Sequence, residues 1–167
     1  MANAILDALV DYPAKALQKI GTDATIVKLL TNNPNIDMDS DEADAVFDRY
    51  LFDYEYVDDT TDEAAAYICV ETELARVPTP TIKDMKIYVK IVCHKRFMEI
   101  DPSKFKATIG NRRDNLSRYV DKLLSGSDIF GIGALTLDYA RIVSAPTGFT
   151  ARELGYSISD FKVRRGQ

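Results

Sequence analysis

The chain has 167 residues, of which 46% are hydrophobic and 28% charged, and its formal net charge is −5. This composition is typical of a soluble globular protein, and the length suits one domain that folds without disulfides or metals. No apolar run reaches the ~18 residues of a membrane span, and the first residues lack a signal peptide's basic start, so we expect no membrane segment. Cys69 and Cys93 show no CxxC spacing, which fits two core thiols in a reducing compartment.

The net charge is an average over two unlike parts of the chain. Residues 1–63 carry 15 acids and 4 bases, whereas residues 64–167 carry 11 acids and 17 bases. Such a division is typical of a nucleic-acid face, of self-association or of an acidic tail. The arrangement of the predicted helices and strands decides which of these three explanations fits the chain.

Helical spacing of apolar residues predicts helices over the first 31 residues. We expect Pro13 to kink or restart the first helix, because it supplies no N–H group. Gly21 is expected to end this helix and Asp23 to cap a second short one.

Residues 37–63 form a strongly acidic segment, with 12 acids and one base. The segment also holds closely spaced aromatic residues, which a disordered acidic tail would not be expected to carry. We therefore expect a partly ordered excursion that docks on a neighbour. The predicted organisation is an arm over residues 1–65, made of helices and this excursion, followed by a core domain over residues 66–167.

Alternation with a period of two dominates the core domain. It predicts strands over 67–77, 85–97, 135–143 and 154–158, and helical spacing returns over 111–124. The fold class is therefore α+β: N-terminal helices, then a β-β-α-β-β core whose mixed or mostly antiparallel sheet packs on a helix.

The sequence offers little for catalysis, and we predict no catalytic residue, cofactor site or metal site. His94 is the single histidine, which excludes every motif that needs two, and it is expected to be a plain surface residue. The acidic run Asp37–Asp41 lacks the glycine and the final Glu of a calcium loop. The glycines of residues 126–133 follow a helix, whereas a phosphate-binding loop precedes one.

Basic residues cluster after residue 82 and are the candidates for contact with nucleic acid. The predicted strand 85–97 places Lys86, Lys90 and Arg96 on one face, and we take these three as candidates for lining a DNA channel. A simply solvated charged face explains them equally well. Sequence-specific binding is not expected, since there is no recognition helix and the pI is near 4.9.

The acidic and basic parts of the chain are complementary in charge, and this explains their division better than contact with DNA does. In a monomer they would neutralise each other, whereas in a ring the acidic segment of one subunit lies against the basic face of the next. The predicted interface residues are those that would make this contact. They are Asp44, Phe47, Tyr50, Phe52, Tyr54 and Tyr56 on the acidic side, and Arg112, Arg113 and Arg118 on the basic side.

The order of elements resembles the neck proteins of tailed bacteriophages. The likeness covers roughly residues 66–162 and rests on this order and on four strings. They are Ile-Val-Cys-His-Lys-Arg-Phe-Met in the long strand, Asn-Arg-Arg-Asp-Asn-Leu-Ser-Arg-Tyr-Val-Asp-Lys-Leu-Leu in the helix, Phe-Gly-Ile-Gly-Ala-Leu-Thr-Leu after it, and Ser-Ile-Ser-Asp-Phe at the end of the last hairpin. The chain is most similar to tail terminator (tail completion) proteins and less closely to head-closure proteins.

This resemblance implies a non-enzymatic virion protein that forms a homo-oligomeric ring, usually sixfold, at the head–tail junction. Its partners would be other copies of itself, the connector or head-closure protein and the tail tube, with genomic DNA passing nearby and no membrane. It would lie in the neck of the virion, and in the host cytoplasm during assembly. The alternatives are a head-closure protein, a small ligand-binding or enzymatic α+β domain built around His94, and a regulatory DNA-binding protein.

Overall fold

A computed structural model describes residues 5–161 of the chain. The helices are α1 (Ala8–Gly21), α2 (Ala24–Thr31), α3 (Asp41–Asp44), α4 (Val46–Arg49) and α5 (Arg112–Leu124), with a 3-10 turn at Lys95–Phe97. The strands are β1 (Leu51–Phe52), β2 (Ala66–Arg76), β3 (Ile82–His94), β4 (Ile132–Val143) and β5 (Phe149–Phe161).

The five strands form one sheet in the order β1-β2-β3-β5-β4. β1 pairs with β2 in parallel, and the β2–β3, β3–β5 and β5–β4 pairs are antiparallel. Helices α1 and α5 pack on the same sheet, α1 against β2 and α5 against β3 and β5. The predicted α+β fold class is confirmed, including the mostly antiparallel sheet packed on a helix.

The main hydrophobic core lies between the helices and one face of the sheet, which we call the helix face. In β3 the predicted alternation is confirmed, since Met85, Ile87, Val89, Ile91 and Cys93 are all buried there. Residues of α1 and α2 belong to the same cluster of buried side chains as these strand residues. The predicted boundary between residues 65 and 66 therefore does not separate two cores.

Helix α1 runs through Pro13 without the predicted restart. The proline has no N–H group to donate to the carbonyl of Leu9 four residues earlier. Instead, the Thr72 Oγ1 of β2 donates a hydrogen bond to this carbonyl at 3.1 Å. A side chain of the sheet thus satisfies the group that the proline leaves free, and it fixes α1 on β2.

The acidic segment packs on its own chain. Ala43, Val46 and Leu51 are buried in the main core, and the Ser40 side chain caps α3. The ring of Phe47 fills the space beside Gly21, where an added Cβ would lie 2.4 Å from the ring carbons. The segment then supplies β1, a strand too short for any periodicity to reveal.

Candidate functional site

The second face of the sheet carries no helix, and we call it the open face. It displays the outward residues of β2, β3, β5 and β4, and the segment after β1 covers one end of it. This covered end is a second hydrophobic cluster, whose buried members are Val57, Ala65, Tyr67, Val92, Phe149 and Ala151. The rest of the face is mostly polar, half-buried along β3 and β5 and exposed at Glu71 and Glu73 of β2.

Aromatic rings connect the acidic segment to this covered end. Phe52 and Tyr56 stack with their ring centroids 3.8 Å apart and nearly parallel, and Tyr56 in turn lies 5.3 Å from the buried Tyr67. Tyr54 packs edge-on against Phe52 at 5.7 Å. Tyr54 and Tyr56 keep 52% and 39% of their surface exposed. The cluster thus presents aromatic surface outside the fold, in the middle of an acidic stretch.

Two of the three DNA-channel candidates lie on the open face, but each is paired with an acid. The Lys86 Nζ donates to Asp138 at 3.0 Å, and the Lys90 Nζ contacts Glu55 of the acidic segment. Because these carboxylates balance both ammonium groups, this face has little positive charge to offer a DNA phosphate.

Arg96 does not share their face, which corrects the prediction. Strand β3 ends at His94, and Arg96 is exposed in the 3-10 turn that follows. The Arg96 N–H donates to the His94 Nδ1 at 3.1 Å, so the histidine side chain caps this turn and stops the alternation.

Tyrosine–carboxylate hydrogen bonds complete the polar part of the open face. The Tyr88 hydroxyl donates to Glu73 at 2.6 Å, and the Tyr139 hydroxyl donates to Glu153 at 2.7 Å. The bond to Glu73 raises the pKa of Tyr88 to about 12, and burial together with Glu153 raises the pKa of Tyr139 to about 12. Both phenols stay protonated at neutral pH and act as fixed donors.

Arg112 lies inside the fold, whereas the sequence pattern placed it among the surface residues of the subunit interface. Its side chain is 2% exposed and donates to the carbonyls of Leu29 at 2.5 Å, Phe97 at 2.8 Å and Glu99 at 3.1 Å. It also donates to the Asn32 side chain at 2.8 Å. Burial lowers the pKa of the guanidinium. Arg112 therefore joins the end of α2 to the segment before α5, inside the fold.

The other predicted interface residues differ in how far they reach the surface. Asp44, Tyr54, Tyr56 and Arg118 are exposed. Phe47, Tyr50, Phe52 and Arg113 are half-buried. The Arg113 guanidinium pairs with Asp114 at 3.0 Å, and Asp114 also accepts from Arg152 of β5 at 3.1 Å. Asp114 thus ties α5 to the sheet and Arg113 pairs with the same carboxylate. The exposed Arg118 donates to the Ala107 carbonyl at 2.7 Å.

His94 is buried, contrary to the surface position that the alternation predicted. Its ring meets Phe149 edge-on at 4.9 Å, and burial lowers its pKa. Neither thiol is an activated nucleophile, because burial raises the pKa of Cys69 to about 11 and that of Cys93 to about 12.

Within residues 5–161, no group of three or more His, Cys, Asp or Glu side chains is placed to hold a metal ion. No helix in this range is long and apolar enough to cross a membrane.

Two features of the site were not predicted from the sequence. The second cluster forms because Tyr67, Val92 and Phe149 come from three strands, and only the register brings them together. The guanidinium of Arg112 meets carbonyl groups that lie 13 to 83 residues away in the chain. A longer alternation over 149–161, with Phe149 and Ala151 on the open face, is the one signal that would have extended β5 to its full length.

Comparison with protein families identifies a family for the chain. Residues 23–158, about four-fifths of the chain, match the family described as YomW. No curated protein matches the chain. The family carries a phage-derived gene name, which supports a phage origin for the protein. The chain belongs to the YomW family.

Proposed function

We propose that the chain is a non-enzymatic structural protein of a phage particle, a ring subunit of the head–tail junction in the role of a tail terminator. Membership of a phage-associated family supports the phage particle as its place of action. The observation that supports a ring is that many exposed acids and bases form no ion pair within the described chain.

The acids of the 37–63 segment are all exposed. Within the described chain, Glu55 and Glu63 are the only two of these twelve acids that form ion pairs, with Lys90 and Arg49. An acidic surface of this size repels itself in a monomer and favours a basic partner.

A second surface of the fold is basic. It consists of the exposed bases of the 3-10 turn, the following loop and α5: Lys95, Arg96, Lys104, Lys106, Arg118 and Lys122. Among the residues described, Lys104 alone of these forms an ion pair, with Asp101 at 4.0 Å. The two charged surfaces therefore do not neutralise each other within one chain.

Their positions suit a head-to-tail contact. The acidic segment supplies β1, the strand at one edge of the sheet, whereas α5 packs on β3 and β5, nearer the β4 edge. When the acidic side of one copy meets the basic side of the next, the contact is heterologous, and such contacts close into rings when the rotation allows. The exposed Tyr54 and Tyr56 rings add apolar contact area within the acidic surface.

In this role the ring joins the connector to the tail tube and surrounds the DNA path. The β2–β3 connection and the loop over 99–110 are the segments that would contact these partners. DNA passes the ring without specific contact, since Lys86 and Lys90 are already paired with acids.

Phage genetics tests the function directly. Phage that lack this gene should accumulate separate heads and tails, and the wild-type chain supplied in trans should restore joined particles. The Asp44→Lys substitution should restore fewer particles than the wild type, whereas Asp128→Lys, an equally exposed acid outside the acidic segment, should restore them fully. Complete infectious particles without the protein would refute the proposal.

A further inference from the structure

The described sheet ends in two strand edges that have no backbone partner. On the outer side of β2, β1 pairs with Ile68 and Cys69, which leaves the edge from Val70 onward unpaired. On the far side of the sheet, β4 pairs with β5 alone. Most residues of both edges are exposed, in contrast to the buried first half of β2.

Each free edge contains one regular stretch of five residues. Val70–Leu74 pairs with β3 without interruption, and the register shifts just after it. Tyr139–Val143 pairs with β5 in the same regular way, after a shift between Leu137 and Tyr139. Neither stretch contains the proline or lysine that usually protects an exposed edge from pairing with another chain.

We propose that β4 of one copy pairs with β2 of the next copy, so that the sheets join edge to edge around the assembly. This inference rests on the proposed ring, for which it supplies the subunit contact. The strand directions fit: β2, β3, β5 and β4 alternate, so β4 runs opposite to β2. A second copy in the same orientation then presents an antiparallel partner, which two short edges can pair with directly.

Charge complementarity favours the same contact. Arg141 lies on the open face, where it pairs with Glu153, and the exposed Glu71 and Glu73 lie on the open face of β2. Pairing that keeps the helices on one side sets open-face residues opposite each other. With β1 occupying Ile68 and Cys69, the regular stretches then place Arg141 opposite Glu71 or Glu73.

Apolar surface on the helix face supports the pairing. Ile142, next to Arg141, is 58% exposed although it points to the side that the helices cover elsewhere. In either register it comes beside Val70 or Thr72 of the neighbouring copy. The pairing would remove the exposed isoleucine side chain from water, and burial of apolar surface is favourable.

Engineered disulfides test the contact, because β2 and β4 of one chain are too far apart to be bridged. They are separated by three strand spacings, roughly 14 Å, whereas a disulfide requires Cα atoms within about 7 Å. The Glu71→Cys/Arg141→Cys and Glu73→Cys/Arg141→Cys variants should form ladders of linked copies under mild oxidation on non-reducing gels. The native Cys69 and Cys93 are buried and should not contribute.

The control pairs Glu71→Cys with Gln18→Cys, which adds an exposed thiol on α1, outside the β4 edge and outside both charged surfaces. This variant should give at most a tenth of the linked product. If both β2–β4 variants stay unlinked at concentrations where the wild-type chain is assembled, or if the wild-type chain does not self-associate at all, the inference is overturned.

A charge exchange gives a second and independent measurement. Arg141→Glu should raise the dissociation constant of the assembly at least fivefold in sedimentation experiments, and adding Glu71→Arg with Glu73→Arg should recover most of the loss. Lys28→Glu, the same change of charge on α2 and outside both charged surfaces, should stay within twofold, and unfolding curves should show that every variant is folded. If the dissociation constant of the assembly does not respond to these substitutions, the edge contact is overturned. The phage-particle test of function is unaffected by that result.

Discussion

The corrected role of Arg112 gives the sharpest prediction for the fold, because the side chain is a hub of hydrogen bonds with almost no exposure. We consider the Arg112→Ala substitution. It removes four donated hydrogen bonds, three to backbone carbonyls and one to Asn32, together with the packing of the guanidinium on the ring of Phe97 at 3.9 Å.

The loss in the free energy of unfolding depends on how the carbonyl groups that Arg112 leaves without a donor are satisfied. Hydrogen bonds to a charged group contribute about 1.5–3 kcal/mol each, but burial of the guanidinium has its own cost, which the substitution relieves. A cleft of about 630 Å³, lined by Asn32, Phe97, Glu99 and Arg112, lets water reach some of the freed carbonyls. We therefore expect a loss of about 3 kcal/mol in the free energy of unfolding, well below the sum of the four bonds.

Urea unfolding followed by circular dichroism measures this loss. For a chain of this length, about 3 kcal/mol corresponds to a fall of roughly 6–12 °C in Tm. Lys122→Ala is the matched control on the same helix, since Lys122 is exposed, and it should lose no more than about 0.5 kcal/mol. Equal stability of the two variants would refute the internal role of Arg112 and would return it to the subunit interface.

Three further predictions concern single contacts. Gly155→Ala should cost about 1–3 kcal/mol in urea unfolding, because an added Cβ would lie 2.4 Å from a tyrosine ring packed over the glycine. Thr72→Val should cost about 1 kcal/mol through the lost bond to Leu9, and less in a Pro13→Ala background, where a restored N–H group serves that carbonyl; a double-mutant cycle that shows no coupling would contradict this. Burial lowers the pKa of His94 in the folded state, so the unfolded chain binds more protons, and stability should fall as the pH drops through ~6.5, the pKa of an unfolded histidine. His94→Gln should abolish the change in stability between pH 7.5 and 5.5. An NMR titration that places the pKa of His94 in the folded protein above 6.5 would contradict the direction of the shift.

The order of the elements could be predicted because it follows from local periodicity. The period of two that marks Met85 to Cys93 comes from burial of one strand face, and the helical stripe of residues 112–124 comes from burial of one helix side. Both patterns lie within a single element. The sequence alone was therefore enough for the α+β class and for four of the five strands.

The errors arose where distant parts of the chain decide the outcome. Arg112 belongs to a charged helix and looks like its neighbours Arg113 and Arg118, and only the fold brings the end of α2 against it. His94 follows an alternating strand and was placed on a solvated face, but Phe149 from β5 covers that end. In the same way Pro13 broke no helix, since Thr72 offered the missing donor.

Electron cryo-microscopy of the purified phage particle tests the central claim most directly. We predict a closed ring of this chain around the DNA path between head and tail, in which the acidic 37–63 segment of each copy faces the basic side of the next. A neck whose density contains no copy of the chain, or copies that meet with like edges together, would contradict the account.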